Sequence, residues 1–264
     1  MKKINTGNCT IFFGGIDHAI DPAVLRGHTA RSVLNLPLFA WLRTYADFLV
    51  FQHQVHGITG SFVYESRDDN GRQSDNENRF EKDQIFDLEN FKLLERDGDW
   101  LCTNKKRVAL AILTADCVPL VFYDPKQEII AVAHAGWRGT FAEITRVVLE
   151  KFFLFQATIH ASTQVSAKNY KVFIGPAAGA CCYQVDQKFL QAVPEYLVSC
   201  SKRKDQEYYF DLTMAHNIQL KRAGVLREHI SQEAALCTIH DTSYCSYRRQ
   251  AGTVLRNITV IVLT

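Results

Sequence analysis

No stretch of the chain approaches the roughly 18 consecutive apolar residues that a membrane span needs. The amino end, MKKINTGNCTIFFGG, passes from two lysines into Asn, Thr and Gly instead of an apolar core, so it lacks the layout of a signal peptide. There is no long basic run either. Thirty Lys and Arg against 28 Asp and Glu leave a net charge of only +2, which argues against nucleic acid as a partner. Internal repeats and clean linkers are also missing. Cysteine is present, eight times, but the eight are scattered from Cys9 to Cys245 in a chain of 264 residues, too large to require disulfide staples. Without an export layout they read as thiols in a reducing cytoplasm.

What is there is an ordinary globular composition, 47% hydrophobic and 22% charged, long enough to bury a sizeable core. After an irregular start, residues 32–57 predict a short helical stretch feeding a strand, Phe48 to Val55, that stops at Gly57. From Glu65 to Asp99 the composition changes, SRDDNGRQSDNENRFEKD being almost wholly polar, the pattern of an exposed insertion or mobile loop, and deletion of Asp68 to Glu81 is expected to leave a folded protein. RVALAILTADC and VPLVFYD then form two apolar runs, DPKQ supplies turn residues, and EIIAVAHAG is a third strand at the centre of the sheet. TFAEITRVVLEKFFLF follows with helical spacing, KVFIG is a further strand, DLTMAHNIQLKRAG a helix capped by Asp211 and stopped by Gly224, and NITVIVL a last strand. The expectation is one α/β (α+β) domain covering residues 1–264.

Cys117 in TADC and His134 in AHAGWRG each stand just past an apolar run, held by a sheet yet reaching its rim. Such a pair can be metal ligands, a thiol nucleophile with its base, or a buried Cys beside a satisfied His. FQHQVHG tips the balance toward metal. His53 and His56 are three positions apart and face opposite sides of a strand, so one of them can join the site; His56, at the strand end, is the choice, and His53 is left to packing or surface. Two imidazoles and a thiolate make an open zinc site whose fourth position can hold water or substrate, and copper accepts the same donors. Weaker features surround it. GWRGT, with Arg138, can receive an anion or be a tight turn; Asp116 can be a general base, a supporting partner or a turn residue; IGPAAGACCY is a small-residue loop. SYRRQ would turn one of Arg248 and Arg249 inward if extended, and His240 is a spare ligand that no spacing demands.

QVHG, LTADCVPLVFYD, AVAHAGWRGT, IGPAAGACCYQV and CTIHDTSYCSYRR, in that order, resemble the YfiH-type family, also called multicopper polyphenol oxidoreductase or laccase-domain proteins and described as purine nucleoside phosphorylases. The likeness runs from about Asp47 to the carboxyl end; before that it is loose. It implies mixed central sheets flanked by helices, similar to the deamidase domain of cytotoxic necrotising factor, and a zinc bound by His56, Cys117 and His134. It also implies activity on adenosine, inosine and methylthioadenosine, with adenosine deamination besides. The chain departs from the family pattern in its longer polar stretch, in Trp100 where the family's GDA has Ala, and in GTVLRN in place of a TGR-like ending.

Three functions follow for testing. A zinc-dependent purine nucleoside phosphorylase would use Arg138 or Arg248 to hold phosphate, or, as a deaminase, Asp116 to carry a proton. A thiol amidase or deamidase would use Cys117 and His134 alone. A non-catalytic module would bind through the polar insertion. The His-x-Glu and Cys-x-x-Cys signature of other zinc deaminases is missing. Nine histidines without one His-x-His pair do not easily furnish both a blue-copper site and a separate copper cluster, so multicopper oxidase activity is not expected.

Overall fold

The computed structural model describes residues 1–23, 37–63, 86–87, 97–159 and 167–264. Its strands in chain order are β1 (Lys2–Asn5), β2 (Cys9–Phe13), β3 (Phe48–Val50), β4 (Gly60–Val63), β5 (Phe86–Asp87), β6 (Trp100–Thr103), β7 (Val108–Thr114) and β8 (Val118–Asp124). They continue as β9 (Ile129–Ala135), β10 (Lys171–Ile174), β11 (Gln184–Val185), β12 (Ser201–Lys204), β13 (Glu207–Phe210), β14 (Ile230–Ser231) and β15 (Asn257–Leu263). The α-helices are α1 (Pro37–Leu42), α2 (Trp137–Phe141), α3 (Ile144–Ile159), α4 (Gln187–Ala192) and α5 (Leu212–Arg222).

Two six-stranded sheets, β1-β2-β15-β7-β3-β5 and β14-β10-β8-β9-β6-β4, pack face to face, and a three-stranded sheet, β11-β13-β12, stands beside them. Both large sheets are mixed: β3 runs parallel to β7, β4 to β6 and β10 to β14, while the other pairs are antiparallel. All residues of β7, β8, β9 and β15 are buried, as expected of β-branched, apolar strands covered on both faces. Side-chain alternation then divides β8 and β9. Val121, Tyr123, Ile130 and Val132 meet the β7 and β15 side, whereas Leu120, Phe122, Ala131 and Ala133 meet α3 through Val148, Leu149 and Phe152. His134 shares the parity of Ile130 and Val132 and so belongs to the space between the sheets.

The DPKQ turn holds as expected, because Asp124 Oδ1 accepts the N–H groups of Lys126 and Gln127. Asp211 caps α5 through Met214 N–H at 2.8 Å, and Gly224 ends it at φ +88°. Four expectations are corrected. The irregular start contains β1 and β2, whose second strand, CTIFF, is fully buried against β15. The strand read as Phe48 to Val55 ends at Val50. Past it Gln54 substitutes a side chain for a strand, donating to Leu113 O and accepting from Leu113 N–H, both at 2.7 Å. The helix read from Thr140 is two helices, broken where Glu143 takes φ +59°.

The span from Glu65 to Asp99 is not an insertion throughout. Phe86–Asp87 pairs with β3, and Asp99 is completely buried. The stretch from Asp68 to Glu81 lies outside the described residues.

Phe152, fully buried and edge-on to Tyr170 at 4.9 Å, joins α3 to the outer face of the second sheet. Phe152→Ala is expected to destabilise the protein by about 3–5 kcal/mol through lost contacts and a residual cavity. Urea unfolding checks this; a midpoint unchanged from wild type would show that α3 is not what closes this core.

Candidate metal centre

Three separate pieces of backbone deliver the central residues. Cys117 sits in the turn that carries the chain from β7 in one sheet to β8 in the other. His134 is the sixth residue of β9, and the register Val118↔Ala135 and Pro119↔His134 sets it diagonally across from Cys117. His56 comes from the loop after β3 and adopts φ +62°. Strand alternation therefore does not orient His56; this turn does, and it sets His56 beside Cys117 and His134. The ligand atoms of His56, Cys117 and His134 all lie within 4.8 Å of one another, and the two imidazoles meet edge to face at 4.7 Å. His53 instead turns to Asp97 at 2.7 Å on the exposed side.

Asp99 is the residue that sequence reasoning missed. Its Oδ1 is 2.8 Å from His134 Nδ1 and accepts the His56 N–H at 3.0 Å, while its Oδ2 accepts the Gly57 N–H at 2.6 Å. Its backbone is paired as well, its carbonyl taking the His134 N–H at 2.7 Å. One carboxylate thus bends the His56 turn and aims the His134 ring. The available signal was slight: an acid flanked by Gly98 directly before the buried run of β6. Trp100, the departure from the family's GDA, packs away from the cavity and donates its indole N–H to Ile58 O at 3.1 Å, bracing the same loop.

Burial works to raise the Cys117 thiol, but the positive charge of His134 and hydrogen bonds from His134 and His56 outweigh it, bringing it from 9.0 to about 6. Burial works to lower His134, yet the Cys117 charge and the Asp99 hydrogen bond prevail and raise it from 6.5 to about 9. For Asp99 burial raises the carboxyl, and the His134 and Gly57 hydrogen bonds more than offset it, holding it below the usual carboxylate range. A carboxylate, an imidazolium and a thiolate therefore stand in a row when no cation is bound.

These donors suit a cation. With Asp99 on Nδ1, His134 keeps Nε2 free for coordination, the usual carboxylate–histidine–metal order. Zinc with N at about 2.0–2.1 Å and S at about 2.3 Å spaces its ligand atoms about 3–4 Å apart, close to the spread seen here. Gly136 leaves room for this, since a Cβ there would stand 3.0 Å from His56 Cδ2 and 3.1 Å from Cys117 Sγ.

The three donors line a cavity of about 540 Å³ whose wall also includes Asp116, Trp137, Tyr183, Tyr247, Arg248 and Arg256. Asp116 is committed on both oxygens, Oδ1 to the Thr238 hydroxyl and Oδ2 to the Arg248 N–H, each at 2.7 Å. SYRRQ is a turn, not extended: Arg248 reaches the cavity and gives Nη1 to Gln184 O at 2.9 Å, while Arg249 spends its guanidinium on the carbonyls of Thr238, Ile239, Asp241 and Tyr244. Arg138 is exposed and stacked 4.4 Å over the Trp137 ring, outside the cavity wall. His240 is exposed and not among the converging donors. Tyr183, Tyr247 and Arg256 were not anticipated, for each is brought in from a loop without periodicity.

Residues 35–264 match the family described as multi-copper polyphenol oxidoreductase laccase. The chain belongs to this family. Among laccase-family relatives, the protein is 31% identical over 229 residues to a purine nucleoside phosphorylase, YlmD, of Geobacillus stearothermophilus, spanning 85% of this chain and 75% of that one. The crystal structure of YlmD from the same organism superposes with a TM-score of 0.69 at 29% identity, covering 97% of this chain and 91% of the other. The crystal structure of the hypothetical protein YfiH of Bacillus licheniformis gives 0.72 at 25% identity, covering 97% and 93%.

Alkylation of Cys117 in metal-stripped protein, followed by peptide mass spectrometry, should rise through a midpoint near pH 6 and be level by pH 8. In Asp99→Asn, His134 loses a partner that raises it, the thiolate loses its neighbouring cation, and the midpoint should move up toward 9.0. An unmoved midpoint would show that Asp99 does not govern this pair.

Proposed function

We propose that this protein is a purine nucleoside phosphorylase that depends on zinc held by His56, Cys117 and His134, acting on adenosine, inosine or methylthioadenosine with inorganic phosphate. The observation that carries the reading is the convergence of these donors, braced by Asp99, in a cavity that also presents Arg248. The name of the Geobacillus relative supports the reaction class. No helix among the described residues is long and apolar enough to cross a membrane, and we place the enzyme in the cytoplasm.

In phosphorolysis a phosphate oxygen bonds to ribose C1′ as the bond from C1′ to the base breaks, and the electron pair of that bond passes to the base, which takes up a proton. Bound zinc would supply a Lewis acid toward an oxygen of phosphate or nucleoside, with copper the alternative ion for the same donors. Arg248 has a planar fork suited to phosphate, and Arg138 is the second candidate. Trp137, Tyr183 and Tyr247 offer aromatic faces to the base. Asp116, occupied by Thr238 and Arg248, holds the Arg248 turn in place; as a proton carrier it would have to give up one of these bonds. Deamination of adenosine at the same centre is a further activity to assay.

The charged Cys117–His134 pair favours a second reading, a thiol amidase or deamidase with Cys117 as nucleophile and His134 as base. Zinc content and phosphate-dependent release of adenine separate the two. Under the phosphorylase reading Cys117→Ser and His56→Ala lose zinc and activity together, because a hydroxyl is a far poorer donor than a thiolate and either change removes one of three ligands. Full activity in a zinc-free His56→Ala protein would overturn it.

Arg248→Ala should keep its zinc and raise KM for phosphate about 10- to 100-fold, the worth of a charge-assisted hydrogen bond. Steady-state kinetics at varied phosphate decides this, and an unchanged KM would remove Arg248 from the phosphate site.

A further inference from the structure

A second set of donor atoms converges away from the cavity wall. The Sγ atoms of Cys181, Cys182 and Cys237 lie within 4.8 Å of one another, Cys181 and Cys182 at 3.3 Å. Two loops bring them together. After β10 the chain turns tightly, with the Cys182 and Tyr183 N–H groups both donating to Gly179 O at 3.0 and 2.9 Å. The loop is pinned to the segment carrying Cys237 by a parallel bridge, Ala177 N–H to Leu236 O at 3.0 Å and Thr238 N–H to Ala177 O at 2.9 Å. Glycine at position 179 gives the sulfurs room, since a Cβ there would press on Cys237, 3.0 Å from its Cβ and 3.2 Å from its Sγ.

The surroundings favour a thiolate at Cys237, while burial and the two neighbouring sulfurs push the Cys181 thiol up to about 12, so that its proton leaves only as a metal takes its place. The Gly179 N–H donates to Cys237 Sγ at 3.3 Å, and the backbone N–H groups of Ile239 and His240 join it, so three oriented dipoles face one sulfur. Cys181 is exposed and the other two are half-buried, which leaves an entry path. All eight cysteines are free thiols.

The donor set discriminates between ions. Structural zinc sites close with four protein ligands, and no fourth His, Cys, Asp or Glu among the described residues joins these three. Three thiolates without a hard or nitrogen donor favour a soft ion content with low coordination, and among biological metals thiolate selects Cu(I). We infer that Cys181, Cys182 and Cys237 form a second metal site that takes Cu(I), independent of the His56, Cys117 and His134 centre. Each thiol proton leaves to solvent as its S–Cu bond forms. An ion there ties the Gly179–Tyr183 loop, which supplies Tyr183 to the cavity, to the strand-like segment that runs on to Arg248.

The test is anaerobic titration with Cu(I) against a chromophoric Cu(I) chelator, run on zinc-loaded wild type and on Cys117→Ser, in which the first centre is disabled. Both should retain one equivalent of Cu(I) with an all-sulfur shell by X-ray absorption. Cys181→Ser and Cys237→Ser should each weaken retention at least about 10-fold, as loss of one of three ligands requires, with zinc at the first centre and the melting temperature unchanged. Cys181 is exposed, so its variant guards against misfolding as the cause of any loss. Absence of Cu(I) retention in Cys117→Ser, nitrogen in the copper shell, or undiminished retention in the Cys181→Ser/Cys237→Ser double variant would overturn the proposal.

Discussion

A single buried carboxylate holds the centre together. Asp99 takes backbone N–H groups from the His56 turn on both oxygens and His134 Nδ1 on one of them, so the positions of two imidazoles depend on one side chain. A buried acid is costly unless its acceptor capacity is filled. Here it is filled, by backbone donors that cannot move without unravelling the turn. The same bonds keep the acid ionised, and against the cost of burial the Cys117 charge together with the Asp99 hydrogen bond holds His134 protonated while no cation is present. Loop bending, ring orientation and ligand readiness are one electrostatic arrangement.

The sandwich explains why this arrangement sits where it does. β7 and β8 belong to different sheets, and the short connection between them has to cross at the end of the core; Cys117 is in that crossing. A residue at such a crossing has sheet rigidity on both sides and open space beyond it. Asp116 uses the same place to gather the carboxyl-terminal turn, and so Arg248 reaches the cavity while Arg249, its neighbour, is consumed in capping carbonyls. Two adjacent arginines thus have unrelated places, one on the cavity wall and one bracing the fold.

Sulfur is used in two chemically distinct ways. Cys117 stands with two imidazoles at a cavity, a mixed donor set with borderline preference, and Cys181, Cys182 and Cys237 stand together where two loops meet near the surface, a uniformly soft set. The remaining thiols, such as Cys9 and Cys102, are buried among apolar side chains, where burial raises them far from reactivity.

Local pattern suffices for the strongly apolar strands, the DPKQ turn, the capped helix from Leu212 to Arg222 and the placement of Cys117 and His134 at strand ends. Each of these follows from interactions within a few residues, or from burial on both faces of a sheet, and local pattern records both. It also carried His56, though by an argument from strand alternation that does not apply, since the strand ends at Val50 and a left-handed turn orients the ring. The rest depends on contacts between distant segments. Asp99 was assigned to a polar insertion because composition over a window cannot show one acid leaving it for the core. The thiol cluster joins positions more than fifty residues apart, and the division of labour between Arg248 and Arg249 depends on which carbonyls a turn brings within reach. Contacts of that kind are set by how distant segments pack, and no periodicity along the chain encodes them.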